Sequence, residues 1–256
     1  ESIPDIPEDF KLPEKQALAL DCLASGEVWV SDELGAALGS FGPPAYYMDF
    51  ETMNPGIPAY PGTRPYEMVP FQFSVHFSDE DGVLTHTAFL APGDTHPARA
   101  FAQALIAAID RTDVPVVVYN QSFELGVLGA LCEMFPDLAE ELGAIMKNVV
   151  DLLPLVRDHV CHPGFITRRS LDAGTYSIKN VLPALVPSMS YAHLDGVAEG
   201  GEASRVYTAM VFGAYTGRQA DDYHQQLLDY CALDTRAMVE IQRALMVLCG
   251  QGMPSA

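Results

Sequence analysis

The chain has 256 residues, 49% of them hydrophobic, with 14 Lys+Arg against 34 Asp+Glu and a formal net charge of −20. That length suits one large domain or one domain with an appendage, and the apolar content supplies a sizeable core. The charge excludes a generic duplex-binding module, which is basic, because most of this surface repels polyanions.

No apolar run approaches the ~18 residues of a membrane span. The acidic, Pro-rich first residues do not read as a signal peptide. A start at Glu1 rather than Met points to an excised or trimmed piece of a longer protein. The 5 cysteines form no CxxC pair and are odd in number, which points to reduced thiols in a cytoplasmic protein.

Residues 1–42 read as a helical lead-in or linker. Pro4, Pro7 and Pro13 break its start, and Leu18, Leu20 and Leu23 give helical spacing within Glu14–Ala24. Ser31 is placed to cap a short second helix. Gly42-Pro43-Pro44 ends this segment, and residues 43–250 are expected to form the main domain, with a disordered tail at 251–256. The domain opens on Ala45–Thr52, a β-prone run that ends in Asp49-Phe50-Glu51. Residues two apart share a face of a strand, so both carboxylates project together with Phe50 opposite. Two adjacent like charges repel unless a cation lies between them or one takes up a proton. A hard divalent cation with oxygen ligands is the usual solution; the plain alternative is a strand end running into solvent.

Asn54–Pro70, with Pro55, Pro58, Pro61, Pro65, Gly56 and Gly62, reads as a stiff, irregular loop beside those acids. Phe71–Phe77 alternates like a half-buried strand, Asp79–Gly82 reads as a turn and Leu84–Leu90 as its partner strand. Pro97–Asp110 has helical spacing at Phe101, Leu105, Ile106 and Ile109. Val114–Tyr119 is a compact apolar run fit for a buried parallel strand, and Ser122 opens a helix to about Phe135. Asp137–Lys147 reads as helix, Val149–Leu155 as a short apolar piece and His159–Thr175 as loop. Tyr176–Leu185, Ala203–Phe212 and Asp221–Leu248 read as helices. This order predicts an α/β fold: a mixed sheet of three antiparallel strands plus parallel strands, flanked by helices.

Two further acids stand out. Glu124 falls in the first turn of a helix, where the dipole favours a carboxylate, just past the carboxyl end of the parallel strand, where functional groups collect. Tyr230 and Asp234 are four apart and share a helical face. Asp49-Phe50-Glu51, Tyr119-Asn120-Gln121-Ser122-Phe123-Glu124 and Tyr230-Cys231-Ala232-Leu233-Asp234, in that order, resemble the three motifs of the DEDD superfamily of 3′→5′ exonucleases, in the variant with Tyr in the third motif. More narrowly, Asp49-Phe50-Glu51-Thr52, Pro70-Phe71-Gln72-Phe73-Ser74 with His76, Tyr119-Asn120, Asp151-Leu152-Leu153 and Tyr176-Ser177-Ile178-Lys179 resemble an uncharacterised bacterial family, DUF2779. The resemblance runs from about Tyr46 to Leu248. The superfamily's second motif ends in Asp, where this chain carries Glu124; the DUF2779 resemblance includes Glu there.

The resemblance implies a ribonuclease H-like fold and a metal-dependent 3′→5′ exonuclease that hydrolyses phosphodiester bonds in DNA or RNA processing or repair. It implies two divalent ions, Mg or Mn, held by Asp49, Glu51, Glu124 and Asp234, with Tyr230 orienting the attacking water. Asn120, Arg168, Arg169 and Lys179 would contact the substrate, a single-stranded 3′ end. Members of the family are often fused to a RecB-like nuclease domain. An alternative is a catalytically weak or inactive nuclease-fold module that positions nucleic acid or a partner for such a nuclease. Cleavage of very short oligonucleotides, which an acidic surface obstructs less, is a third reading. Asp151 reads as a structural acid. His159-Val160-Cys161-His162 lacks partners at zinc-finger spacing, and His224 reads as a surface residue.

Overall fold

The structure, a computed structural model, describes residues 10–166, 175–194 and 196–250. Its centre is a five-stranded mixed sheet in the order β4-β3-β2-β5-β6. These strands are β2 (Ala45–Met53), β3 (Val69–Ser78), β4 (Leu84–Leu90), β5 (Val116–Val118) and β6 (Val149–Asp151). The expected meander forms β2, β3 and β4, which pair antiparallel. The Asp79 carboxylate closes its second turn by accepting from the N–H groups of Asp81 and Val83. β5 joins β2 in parallel, and β6 joins β5 in parallel.

The period of two in β2 sorts its side chains between two cores. Tyr46, Met48 and Phe50 meet α3 (Ala98–Ala108), α4 (Ser122–Met134) and α5 (Ala139–Lys147) through residues such as Phe101, Leu105, Leu128 and Leu142. Ala45, Tyr47 and Met53 face the other core, with α6 (Leu152–His159), α7 (Ile178–Leu185), α8 (Gly200–Val211) and α9 (Arg218–Leu248). The sheet is therefore sandwiched between helical layers, as strands buried on both faces require.

A register shift lies between Glu51 and Thr52: Glu51 pairs with Gln72, but Thr52 pairs with Pro70. Phe71 is the extra residue of this bulge. The bulge turns Phe71 into the core that holds α8 and α9, while Phe73 stays in the opposite one. Phe71 there stacks on Tyr207 of α8, with ring centres 3.8 Å apart and planes 4° from parallel.

The lead-in docks on the domain. α1 (Glu14–Ser25) and β1 (Trp29–Val30) lie against β7 (Val160–Cys161), with β1 and β7 paired antiparallel. α2 (Leu34–Leu38) buries Leu34 and Leu38 in the main core. Its helix starts three residues after Ser31. The Ser31 hydroxyl accepts from the Glu33 N–H at 3.2 Å and so closes the preceding turn instead of capping the helix. Gln242 of α9 donates to the carbonyls of Phe41 and Gly42, each at 3.1 Å, tying the end of the lead-in to the longest helix.

Two stretches differ from the expectation. Val149–Leu155 splits into β6 and the start of α6, because the Asp151 side chain caps the helix by accepting from the Leu153 N–H. Pro154 is compatible with this, since it falls in the first turn. The segment expected as loop from His159 carries β7 and a 3₁₀ turn at Pro163–Phe165. The tail at 251–256 lies outside the described residues. Among the described residues, no helix is long and apolar enough to cross a membrane.

Phe71 is fully buried, so Phe71→Ala should cost about 3–5 kcal/mol of unfolding free energy, read by urea denaturation. Phe71→Leu should cost markedly less. A loss below about 1 kcal/mol for Phe71→Ala would contradict the bulge's role in joining α8 to the sheet.

Candidate metal centre

Asp49 and Glu51 lie on the face of β2 that α9 crosses, and Phe50 lies on the other face, with its ring edge-on to Phe101 at 5.1 Å. α9 brings Asp234 to the same place. Asp49, Glu51 and Asp234 each offer one carboxylate oxygen, and these atoms all lie within 4.8 Å of one another. Among the described residues, no other His, Cys, Asp and Glu side chains form such a group. The acids come from strand and helix positions far apart in the chain, so the fold itself brings them together.

The surroundings fix and tune this group. Tyr191, in a 3₁₀ turn at Tyr191–His193, donates its hydroxyl to Asp234 Oδ1 at 2.5 Å. Tyr230 acts on the Asp234 carboxyl in the same direction, lowering it. The Cys231 thiol lies 3.5 Å from Asp49 Oδ2 and 3.8 Å from the Asp49 carbonyl. Lys179 donates to the Ala198 carbonyl at 2.6 Å, and its ammonium lies 5.3 Å from the ring centre of Tyr230 and 5.5 Å from that of Tyr191. The start of α8 closes the site from one side: a Cβ on Gly200 would lie 3.6 Å from Glu51 Oε2 and 3.9 Å from the Tyr230 hydroxyl.

Glu124 stands apart from the group of three. It sits in the first turn of α4, as expected, and is only 2% exposed. Its Oε2 atom is buried without a hydrogen-bond partner. Its charge nonetheless reaches Asp49 and Glu51 and pushes both carboxyls up.

Burial is the main cause of the electrostatics here. It raises Asp49 well above the usual carboxylate range, and the charges of Asp234, Glu51 and Glu124 add to the shift. Glu51 is pushed up to about 8, first by burial and then by Asp234, with Lys179 working against it. Glu124 is pushed up to about 8, mainly by burial. Asp234 rises only to about 6, because Tyr191, Lys179 and Tyr230 offset part of the cost of burial. The Tyr230 phenol is driven far up by burial and by the neighbouring acids. Carboxyls that resist ionisation this strongly form a site whose negative charge Lys179 offsets only in part. All donors in the group of three are oxygens within bridging reach, and Glu124 Oε2 lacks a partner. These features fit a hard divalent cation.

The remaining expected residues divide. Lys179 is at the site. Asn120 occupies a tight turn with φ 78°, where its Oδ1 accepts from the Ser122 hydroxyl at 2.9 Å, so its side chain serves the turn. Arg168 and Arg169 lie outside the described residues. Asp151 accepts the N–H groups of Asn120, Gln121 and Leu153, which makes it a structural brace between β6 and the β5–α4 turn. His162 Nδ1 accepts from the Gly164 N–H, and His224 is exposed on α9. Sequence reasoning missed Tyr191, which lies in an aperiodic stretch, and Gly200.

The sign of the pH dependence follows from these shifts. A carboxyl raised in the folded state keeps a proton that the unfolded chain has released. Its stability contribution is fully present below the ordinary value of 4.5 for Glu51 and is lost as the pH rises through about 8. The metal-free protein should therefore melt lower at pH 8 than at pH 5, and Glu51→Gln should flatten that fall. Mn²⁺ should raise the melting temperature more at pH 8, where the ligands are ionised, than at pH 5. Equal metal stabilisation at both values would contradict this electrostatic account.

An "Uncharacterized protein UU173" of Ureaplasma parvum serovar 3 is 24% identical over 218 residues, covering 77% of this chain. The chain spans only 30% of that protein's length. No solved structure matches the chain. Asp49, Glu51, Glu124 and the brace Asp151 fall within one matched segment, and α9 with Tyr230 and Asp234 falls beyond it. That segment, residues 46–170, matches the family model of DUF2779, a domain of unknown function.

Proposed function

We propose that this domain is a metal-dependent nuclease of ribonuclease H-like architecture that hydrolyses phosphodiester bonds from a 3′ end. The observation that carries this reading is the meeting of Asp49, Glu51 and Asp234 within 4.8 Å at the end of the central strand. The sheet order, three antiparallel strands followed by two parallel ones, supports it.

Asp49, Glu51 and Asp234 would hold a divalent cation, Mg or Mn, and Glu124, beside them, would help hold a second. Bound cations of this kind lower the pKa of a water and neutralise charge on the phosphate and the leaving oxygen. Tyr230 keeps its phenolic proton, because its pKa is driven far up. It therefore orients water by hydrogen bonding and does not act as a base. Lys179 places a positive charge beside Glu51 and Asp234, where it would meet a phosphate oxygen. Tyr191 holds the Asp234 carboxylate in a fixed orientation.

A second reading, a nuclease-fold module that binds but cuts weakly, is favoured by one observation: Glu124 stays outside the tight group of three. The net charge of −20 also favours short or single-stranded substrates over long duplexes.

Incubation with 3′-labelled and 5′-labelled single-stranded DNA and RNA, with Mn²⁺ or Mg²⁺, separates the readings. The expected result is stepwise shortening from the 3′ end that chelator abolishes. Asp49→Asn and Asp234→Asn should each lower the rate by at least about 100-fold, since even outer partners of metal ligands cost 10–100-fold. Tyr191→Phe should lower it about 10-fold or more through looser Asp234. Metal binding without cleavage of any strand would support the binding module and overturn the nuclease.

A further inference from the structure

β3 turns an unusual face to α9. Gln72, Ser74 and His76 alternate along that face, and all are buried, at 0%, 1% and 8% exposure. Buried polar groups carry a cost that apolar residues of similar size avoid. Their register supplies a reason: Glu51 pairs directly with Gln72, Asp49 with Ser74 and Tyr47 with His76. The direct cross-strand neighbours of the two strand acids are therefore the polar residues that reach the helix carrying Asp234.

Each contact has a direction. Gln72 Nε2 donates to the Leu227 carbonyl at 2.6 Å. The Ser74 hydroxyl meets the Thr235 hydroxyl at 2.7 Å, and His76 Nδ1 meets the same Thr235 oxygen at 2.8 Å. Thr235 Oγ1 also lies 3.2 Å from the Ala232 carbonyl, and His86 Nε2 lies 2.9 Å from the Ser74 hydroxyl. One assignment satisfies all of them. His86 donates to Ser74, Ser74 and His76 Nδ1–H donate to Thr235, and Thr235 donates back to the helix carbonyl.

The contacts fall at Leu227, Cys231 and Thr235, four residues apart on one stripe of α9; Cys231 meets Asp49 itself. Tyr230 and Asp234 each come one residue before members of that stripe. A slip of α9 by one residue would move Asp234 by about 1.5 Å along the axis and turn it by roughly 100°. A functional site tolerates only about 0.5 Å and 10–20°. Apolar packing alone has no direction with which to forbid such a slip, whereas hydrogen bonds at both ends of a two-turn stretch do.

We propose that Gln72, Ser74, His76 and Thr235 are positioning residues of the metal centre, locking α9 in the one register that sets Asp234 against Asp49 and Glu51. This rests on the metal-centre reading given above. The test is calorimetric titration of the full chain with Mn²⁺, beside its melting curve, for wild type, Thr235→Val, Thr235→Ser and the double variant Ser74→Ala/Thr235→Val. Removing both hydroxyls avoids stranding one against the other; it takes the acceptors from His86, which is exposed and turns to water, and from His76 Nδ1–H, so the double variant folds but melts lower than wild type. The expected result is a cooperative melt for the double variant, below that of wild type, with Mn²⁺ affinity about 10–100-fold lower, and recovery in Thr235→Ser. Wild-type Mn²⁺ affinity in a folded double variant overturns the positioning role and leaves the metal centre standing. Absence of Mn²⁺ binding by wild type overturns both.

Discussion

The structure depends on one electrostatic constraint: carboxylates drawn out of water into a common space. Asp49, Glu51 and Asp234 lie within bridging distance, and Glu124 is buried close by. Mutual repulsion and lost hydration both oppose their ionisation, and the only cation placed to offset them is weak compensation among the described residues. Lys179 lowers Glu51 and Asp234, yet Glu51 still rises to about 8. A protein would gain stability by replacing such acids with apolar residues. Their presence marks a site where local stability is given up, and the proposed cation would account for it.

The surrounding fold serves that concentration of charge. The bulge after Glu51 sends Phe71 to anchor α8, whose first residue, Gly200, comes close against Glu51 and Tyr230. Asp151 braces the turn from which α4 departs, and α4 carries Glu124. Gln242 ties the far end of α9 to the lead-in, while Gln72 and Thr235 fix its middle. Each brace is a directed hydrogen bond placed where non-directional apolar packing would leave freedom to slide.

Much of this was legible in the sequence, because it rests on short-range periodicity. The alternation Tyr46, Met48, Phe50 against Tyr47, Asp49, Glu51 foretells a strand with both acids on one face. The helical spacing of Tyr230 and Asp234 foretells a shared face in the same way. What sequence concealed depends on tertiary meeting. Tyr191 sits in a 3₁₀ turn with no periodic signal, yet donates to Asp234. β6 and α6 were hidden in one apolar run, since only the Asp151 cap decides where strand becomes helix. Thr235 carries no periodic signal of its role, since its partners Ser74 and His76 lie about 160 residues away in the chain. Glu124 was placed on the right element, but its distance from the other acids was not readable from spacing.

The most direct test of the central claim is the anomalous scattering of Mn²⁺ in crystals of this chain grown near pH 8. The account predicts a strong peak among the carboxylates of Asp49, Glu51 and Asp234, with Glu124 drawn toward a second peak beside it. Crystals with saturating Mn²⁺ and no peak at these side chains, or with peaks only at surface acids, would contradict it.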